Sequence, residues 1–128
     1  VSFPVVQEAH DALIASLKAA AAPLSDDTRY VVLGGLEEAT DPPAVILAPP
    51  QLRWDGPIEL GPREATWQAV LVVPAGGDVV GDLFRLLPIV TDAIDGTADA
   101  VVTRAEPGVY RAGATELPAY FVFAEVAL

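Results

Sequence analysis

Few side chains in this sequence have the types and spacings that do chemistry. His10 is the single histidine and stands next to Asp11. Such a pair can orient an imidazole as a general base, but a base needs a nucleophile and a pocket beside it. The neighbouring sequence supplies neither, so His10 reads as a solvated helix histidine. Asp78 and Asp82, four residues apart, have the spacing to share a hard cation. They fit equally the N-cap and first-turn acid of a helix. Asp92, Asp95 and Asp99 approach the spacing of a calcium loop but lack its terminal bidentate glutamate. Gly34-Gly35 and Gly76-Gly77 carry neither the lysine of a phosphate loop nor a dinucleotide fingerprint, and read as turn glycines. Trp54 and Trp67 could stack on a base or a sugar. Trp67 falls on a strand and reads as core. Trp54, between Arg53 and Asp55, suits a loop anchor or a partner contact equally well. No constellation gathers catalytic residues, a metal-ligand set or a cofactor motif. The expectation is a protein that is not an enzyme and uses no catalytic residue, cofactor or metal.

Composition narrows the classes further. The chain has 128 residues, 52 % of them apolar and 20 % charged, which suits one domain with a real core. The absence of cysteine excludes a disulfide framework, thiolate zinc sites and thiol nucleophiles. Eighteen acids against seven bases give a net charge of −11. Duplex affinity comes largely from basic residues displacing phosphate counterions, so this chain should repel DNA, and anionic membrane likewise. No apolar run approaches the roughly 20 residues that span a bilayer, and the opening residues do not read as a signal peptide.

The elements that would position these residues follow from period and punctuation. Val6, Ala9, Leu13, Leu17 and Ala20 recur at helical spacing and predict a helix over about 4–22, with Ser2 as cap and Pro4 in the first turn. Strands are expected at Arg29–Leu33, Ala44–Ala48 and Thr66–Val73, with Gln51–Trp54 extending the second past Pro49-Pro50. Asp55–Glu64, with two Gly-Pro pairs, reads as a long loop. Asp78 should cap a second helix with a stripe of Val79, Leu83, Leu86, Leu87, Val90 and Ile94. Pro88 should kink or restart that helix, and Gly96 should end it. Strands at Ala100–Ala105 and Leu117–Val126 come last, with Val109–Ala112 part of the hairpin between them. The order α-β-β-β-α-β-β lacks βαβ alternation. It predicts a single-domain α+β fold over residues 1–128, with a mostly antiparallel sheet and two helices.

The last strand is apolar on both sides. Leu117, Ala119, Phe121 and Phe123 point one way, and Tyr120, Val122, Ala124 and Val126 the other. Two helices cover one face of a sheet well, so the second face is expected to need another cover, either a helix on each side or, the favoured case, a neighbouring subunit.

Taken together, the Ser2–Leu13 helix, the strand ending Leu33-Gly-Gly-Leu, the Pro42-Pro43-Ala-Val-Ile-Leu strand, the Trp67–Val73 strand, the single later helix and the Tyr120–Phe123 strand form a recognisable series. In length, element order and texture the chain resembles the tail terminator (tail completion) proteins of long-tailed, non-contractile phages, as in phages of high-GC actinobacteria. The resemblance implies a virion protein of the tail–neck junction, assembled in the host cytoplasm. Its subunits would form a ring, a hexamer in this family, on the tail tube. That ring would stop tube polymerisation and join the tail to the head-side connector. Its partners would be itself, the tail tube protein and the connector, with genome DNA passing through unbound and no membrane involved. Trp54, Ile58 and Leu60, with Phe121 and Phe123, are the expected interface residues. Glu37, Glu38 and Asp41, with Glu59 and Glu64, are expected to face an acidic bore. Three other readings remain open. One is another neck or tube subunit, although tube subunits usually carry long hairpins and the loops here look short. Another is a small soluble ligand-binding domain with Trp54, Tyr110 or Arg111 in its pocket. The last is an acidic DNA mimic.

Overall fold

The computed structural model describes residues 3–24, 30–34 and 41–128. Helix α1 spans Pro4–Ala21. Its N-cap is Phe3, in a non-helical conformation and with no side-chain cap bond; the residue before a proline is held away from helical backbone. The expected cap, Ser2, lies outside the described residues. Ala9, Leu13 and Leu17 form the buried stripe. Helix α2 spans Val79–Ile94, and its cap is as expected: Asp78 Oδ1 accepts from Gly81 N at 3.0 Å. Pro88 does not break this helix. Pro88 and Phe84 both lie on the solvent side, where water can answer the Phe84 carbonyl that a proline leaves without a donor. Gly96 follows in the left-handed region and ends the helix.

Six strands form one sheet. They are β1 (Val31–Leu33), β2 (Ala44–Leu47), β3 (Gln51–Arg53), β4 (Glu64–Val72), β5 (Val101–Ala112) and β6 (Thr115–Ala127). The order is β1-β2-β4-β6-β5, with β3 also on β4. Only β1 and β2 pair in parallel. The fold is therefore α+β with two helices and a mostly antiparallel sheet. It differs from the expected order by one short strand. β3 does continue β2 along the same edge of β4. Leu47 faces Ala69 and Gln51 faces Thr66, so four steps on this edge match three on β4. The slip falls at Pro49-Pro50, which have no N–H for a ladder.

The last two strands correct the sequence reading. The strand expected at Ala100–Ala105 does not stop there: β5 runs on through Glu106-Pro107-Gly108, 12 residues in all, and pairs with β6 across a turn at Gly113. β5 is an edge strand, where proline is tolerated. Gly108 is tolerated because a β-carbon there would come within 2.5 Å of the Phe121 ring, which lies across it. The hairpin is long, not short.

Both helices cover one face of the sheet. Leu13 and Leu17 of α1 and Leu86, Val90 and Ile94 of α2 pack on Val45, Leu47, Trp67, Leu71, Val122 and Ala124. Each large aliphatic side chain so buried contributes about 1.5–3 kcal/mol. Register places Ala44, Ile46, Val70, Val72, Leu117 and Ala119 on the opposite face. There they form a second buried cluster, against which Leu33, Tyr110, Ala112 and Phe121 pack. The second apolar face was expected to need another subunit. Much of it is instead buried within the chain. The other half of that face is polar: Gln51, Arg53, Glu64, Thr66, Gln68, Arg104, Glu106 and Glu125 share it by register.

Candidate assembly surfaces

His10 is not a solvated helix histidine. Its Nδ1 accepts a hydrogen bond from Trp67 Nε1 at 3.0 Å, and the two ring centroids are 6.4 Å apart. Trp67 is buried core, as expected, and its indole N–H requires an acceptor. An accepting Nδ1 carries no proton, so this hydrogen bond requires the tautomer with its hydrogen on Nε2. No hydroxyl nucleophile pairs with it among the described residues. An open groove of about 720 Å³ passes the outer side of His10, between α1 and the Val32–Gly34 segment.

Three of the five aspartates singled out by spacing take structural roles. Asp78 caps α2, and Asp82 pairs with Arg85 at 2.8 Å. Asp95 accepts from the backbone of Val102 at 3.1 Å. Among the described residues no three acids or histidines come together as a metal site. Tyr30 sits beneath the end of α1, donating to the Leu17 carbonyl at 3.2 Å, and burial pushes its phenol up to about 12.

The expected contact loop stands at the end of the sheet where β4 begins. Trp54 presents its ring to Phe3 edge-on, with centroids 5.8 Å apart. Its Nε1 is sealed from solvent with no acceptor among the described residues. Trp54 is thus a loop anchor, half-buried against the start of α1. Beyond it Ile58 and Leu60, in a 3-10 turn over Ile58–Leu60, are 64 % and 73 % exposed. Arg53 ties the loop base with ion pairs to Asp55 (3.2 Å) and Glu64 (2.8 Å). The Glu64 hydrogen bond, then the charges of Asp55 and Glu64, hold its guanidinium above the ordinary value.

Phe121 and Phe123 are less available than expected. Phe121 is part of the second apolar cluster, and Phe123 lies 4.2 Å beneath the Arg104 guanidinium. The expected bore acids are not gathered either. Glu37 and Glu38 lie outside the described residues. Asp41 precedes β2 at the Val72 end of β4, whereas Glu59 and Glu64 lie at the opposite end, and Glu64 is ion-paired. Nine strand residues separate those ends by about 30 Å. The pocket of the ligand-binding reading is split in the same way. Trp54 follows the Arg53–Glu64 pair, and Tyr110 and Arg111 lie at the far end of the hairpin.

Sequence reasoning missed the distribution of exposed apolar side chains. Among the described residues, the large ones are Val5, Val31, Ile58, Leu60, Val80, Phe84, Val101 and Val109. Val5, Ile58 and Leu60 surround the Glu64 end of the sheet, and Val101, paired with Glu125, is nearby. Val80 and Phe84 sit one turn apart where α2 leaves the Val72 end. Val109 faces Pro118, whose carbonyl bonds Val73, at that same end. Val31, paired with Ala44 and so level with Val72, lies at that end too. The helical spacing of Val80 and Phe84 was a legible signal, since they sit off the core stripe. No family model matches the chain, and no curated protein matches it.

Proposed function

We propose that the protein is a virion structural subunit that closes the end of a phage tail tube. Its copies form a ring that ends tube growth and joins the tail to the head-side connector. The observation that carries this reading is the placement of exposed apolar side chains at two opposite ends of one small subunit. A monomer gains nothing from such surfaces. A subunit seated between two unlike neighbours needs one at each end. The subunit's own two-sided core keeps those ends about 30 Å apart. A net charge of −11 suits a ring through which DNA slides without sticking, since no counterions are displaced by basic contacts. The reading assigns the protein no reaction and no cofactor.

The test is the mass of the purified protein by light scattering, with negative-stain imaging. Closed rings with a central opening support the proposal. Open filaments, or dimers with no rings, count against it. A second reading, a tube subunit of the same virion, is favoured by one feature: the long β5–β6 hairpin. Self-assembly into extended tubes instead of single rings would select it.

A further inference from the structure

The cleft at the Glu64 end has a chemistry that specifies its occupant. It measures about 340 Å³ and is walled by Phe3, Val5, Leu60, Pro62 and Leu128, with Arg63 at its rim. Four of the five arginines among the described residues are ion-paired. Arg53, Arg85, Arg104 and Arg111 each lie within 3.4 Å of a carboxylate. Arg63 pairs with no described carboxylate, although Glu59 lines the same cleft. In a chain with eighteen acids and seven bases, it is the exception among the five described arginines. Its backbone is nevertheless fixed: Arg63 N donates to the Arg53 carbonyl at 2.8 Å, and its own carbonyl accepts from Leu128 N at 2.9 Å. An arginine anchored through its backbone therefore stands beside an apolar hollow whose wall, Leu60, is largely exposed.

We propose that this cleft docks a segment of a neighbouring protein in which a bulky apolar side chain adjoins a carboxylate. The apolar group fills the hollow and the carboxylate takes the fork of Arg63. A nucleic-acid phosphate fits poorly, since a single cation faces apolar walls and Glu59. The inference rests on the assembly reading for the partner being a protein. The chemistry of the cleft belongs to one protomer.

The experiment is an amide chemical-shift titration of the full chain with two acetylated, amidated tetrapeptides, Asp-Leu-Phe-Glu and Lys-Leu-Phe-Lys. The acidic peptide should shift the amides of Val5, Leu60, Arg63 and Leu128. Arg63→Glu should weaken it about fivefold, the upper end for one exposed ion pair. Arg63→Gln should fall between, and an otherwise unchanged spectrum will show that both variants are folded. Equal shifts with both peptides, or shifts elsewhere, overturn the proposal. So do concentration-dependent shifts at the same amides without peptide, which would assign the cleft to a second copy of the chain. Peptide binding by a protein that never forms rings would sink the assembly reading and leave the cleft. Rings without peptide binding would do the reverse.

Discussion

Trp67 is 1 % exposed and has one donor to satisfy, and His10 is its acceptor. His10→Ala leaves that N–H buried without a partner and should cost about 1–3 kcal/mol. His10→Gln, which keeps an accepting oxygen, should lose less. Urea midpoints followed by tryptophan fluorescence measure both. Tyr30 has a pH-dependent role. Burial holds its folded pKa at about 12, above the ordinary tyrosine value of 10.0, so the folded chain holds the phenol proton more tightly than the unfolded chain. That contribution is complete below pH 10 and is lost as pH rises toward 12. Alkaline unfolding should therefore show a loss of stability across pH 10–12 that Tyr30→Phe reduces. Neither role was legible in sequence. Trp67 could be placed in the core by its strand, but the partner of its N–H lies 57 residues away. A contact of that range leaves no local pattern.

Elements were far more legible than contacts. The α1 stripe and the Asp78 cap each follow from local chemistry that tertiary packing did not override. Pro88 was expected to kink or restart α2, and the strand at Ala100–Ala105 was expected to stop short of Pro107. The helix instead runs on through Pro88 on its solvent side and β5 runs on through Pro107 at the sheet edge, where the missing N–H harms little. Gly108 shows how the long hairpin is held. Gly108→Ala should force the Phe121 ring aside and destabilise the second cluster by about 1–3 kcal/mol. Phe121→Leu should recover part of that loss in the double variant, read as a coupling in denaturant unfolding. The second face taught a related lesson. Its apolar alternation was visible in Leu117, Ala119 and Phe121, but its burial within the chain depends on a register that brings Val70, Val72, Tyr110 and Ala112 to the same side.

For the whole molecule, the placement of apolar surface at two ends is what the assembly reading depends on. Ile58 and Leu60 were picked out in sequence because they stand in a proline-rich loop. Val80 and Phe84 were not, because a helix facing solvent is ordinarily polar. Substituting an exposed side chain at either end should spare the fold. Leu60→Glu and Phe84→Glu should each change unfolding free energy by no more than about 0.5 kcal/mol. Each should still abolish one joining step, and the two variants should fail at different ends when joining to tubes and to heads is scored separately. Loss of both steps in either variant would show that the two ends are not independent surfaces.

The central claim is that this subunit seats on the end of a tube and stops its growth. The direct measurement is electron microscopy of growing tail tubes of the same virion with and without the purified protein. The proposal predicts that added protein appears as a ring at one tube end and that capped tubes cease to lengthen. Tubes that keep growing at the same rate, with no added density at either end, would contradict it.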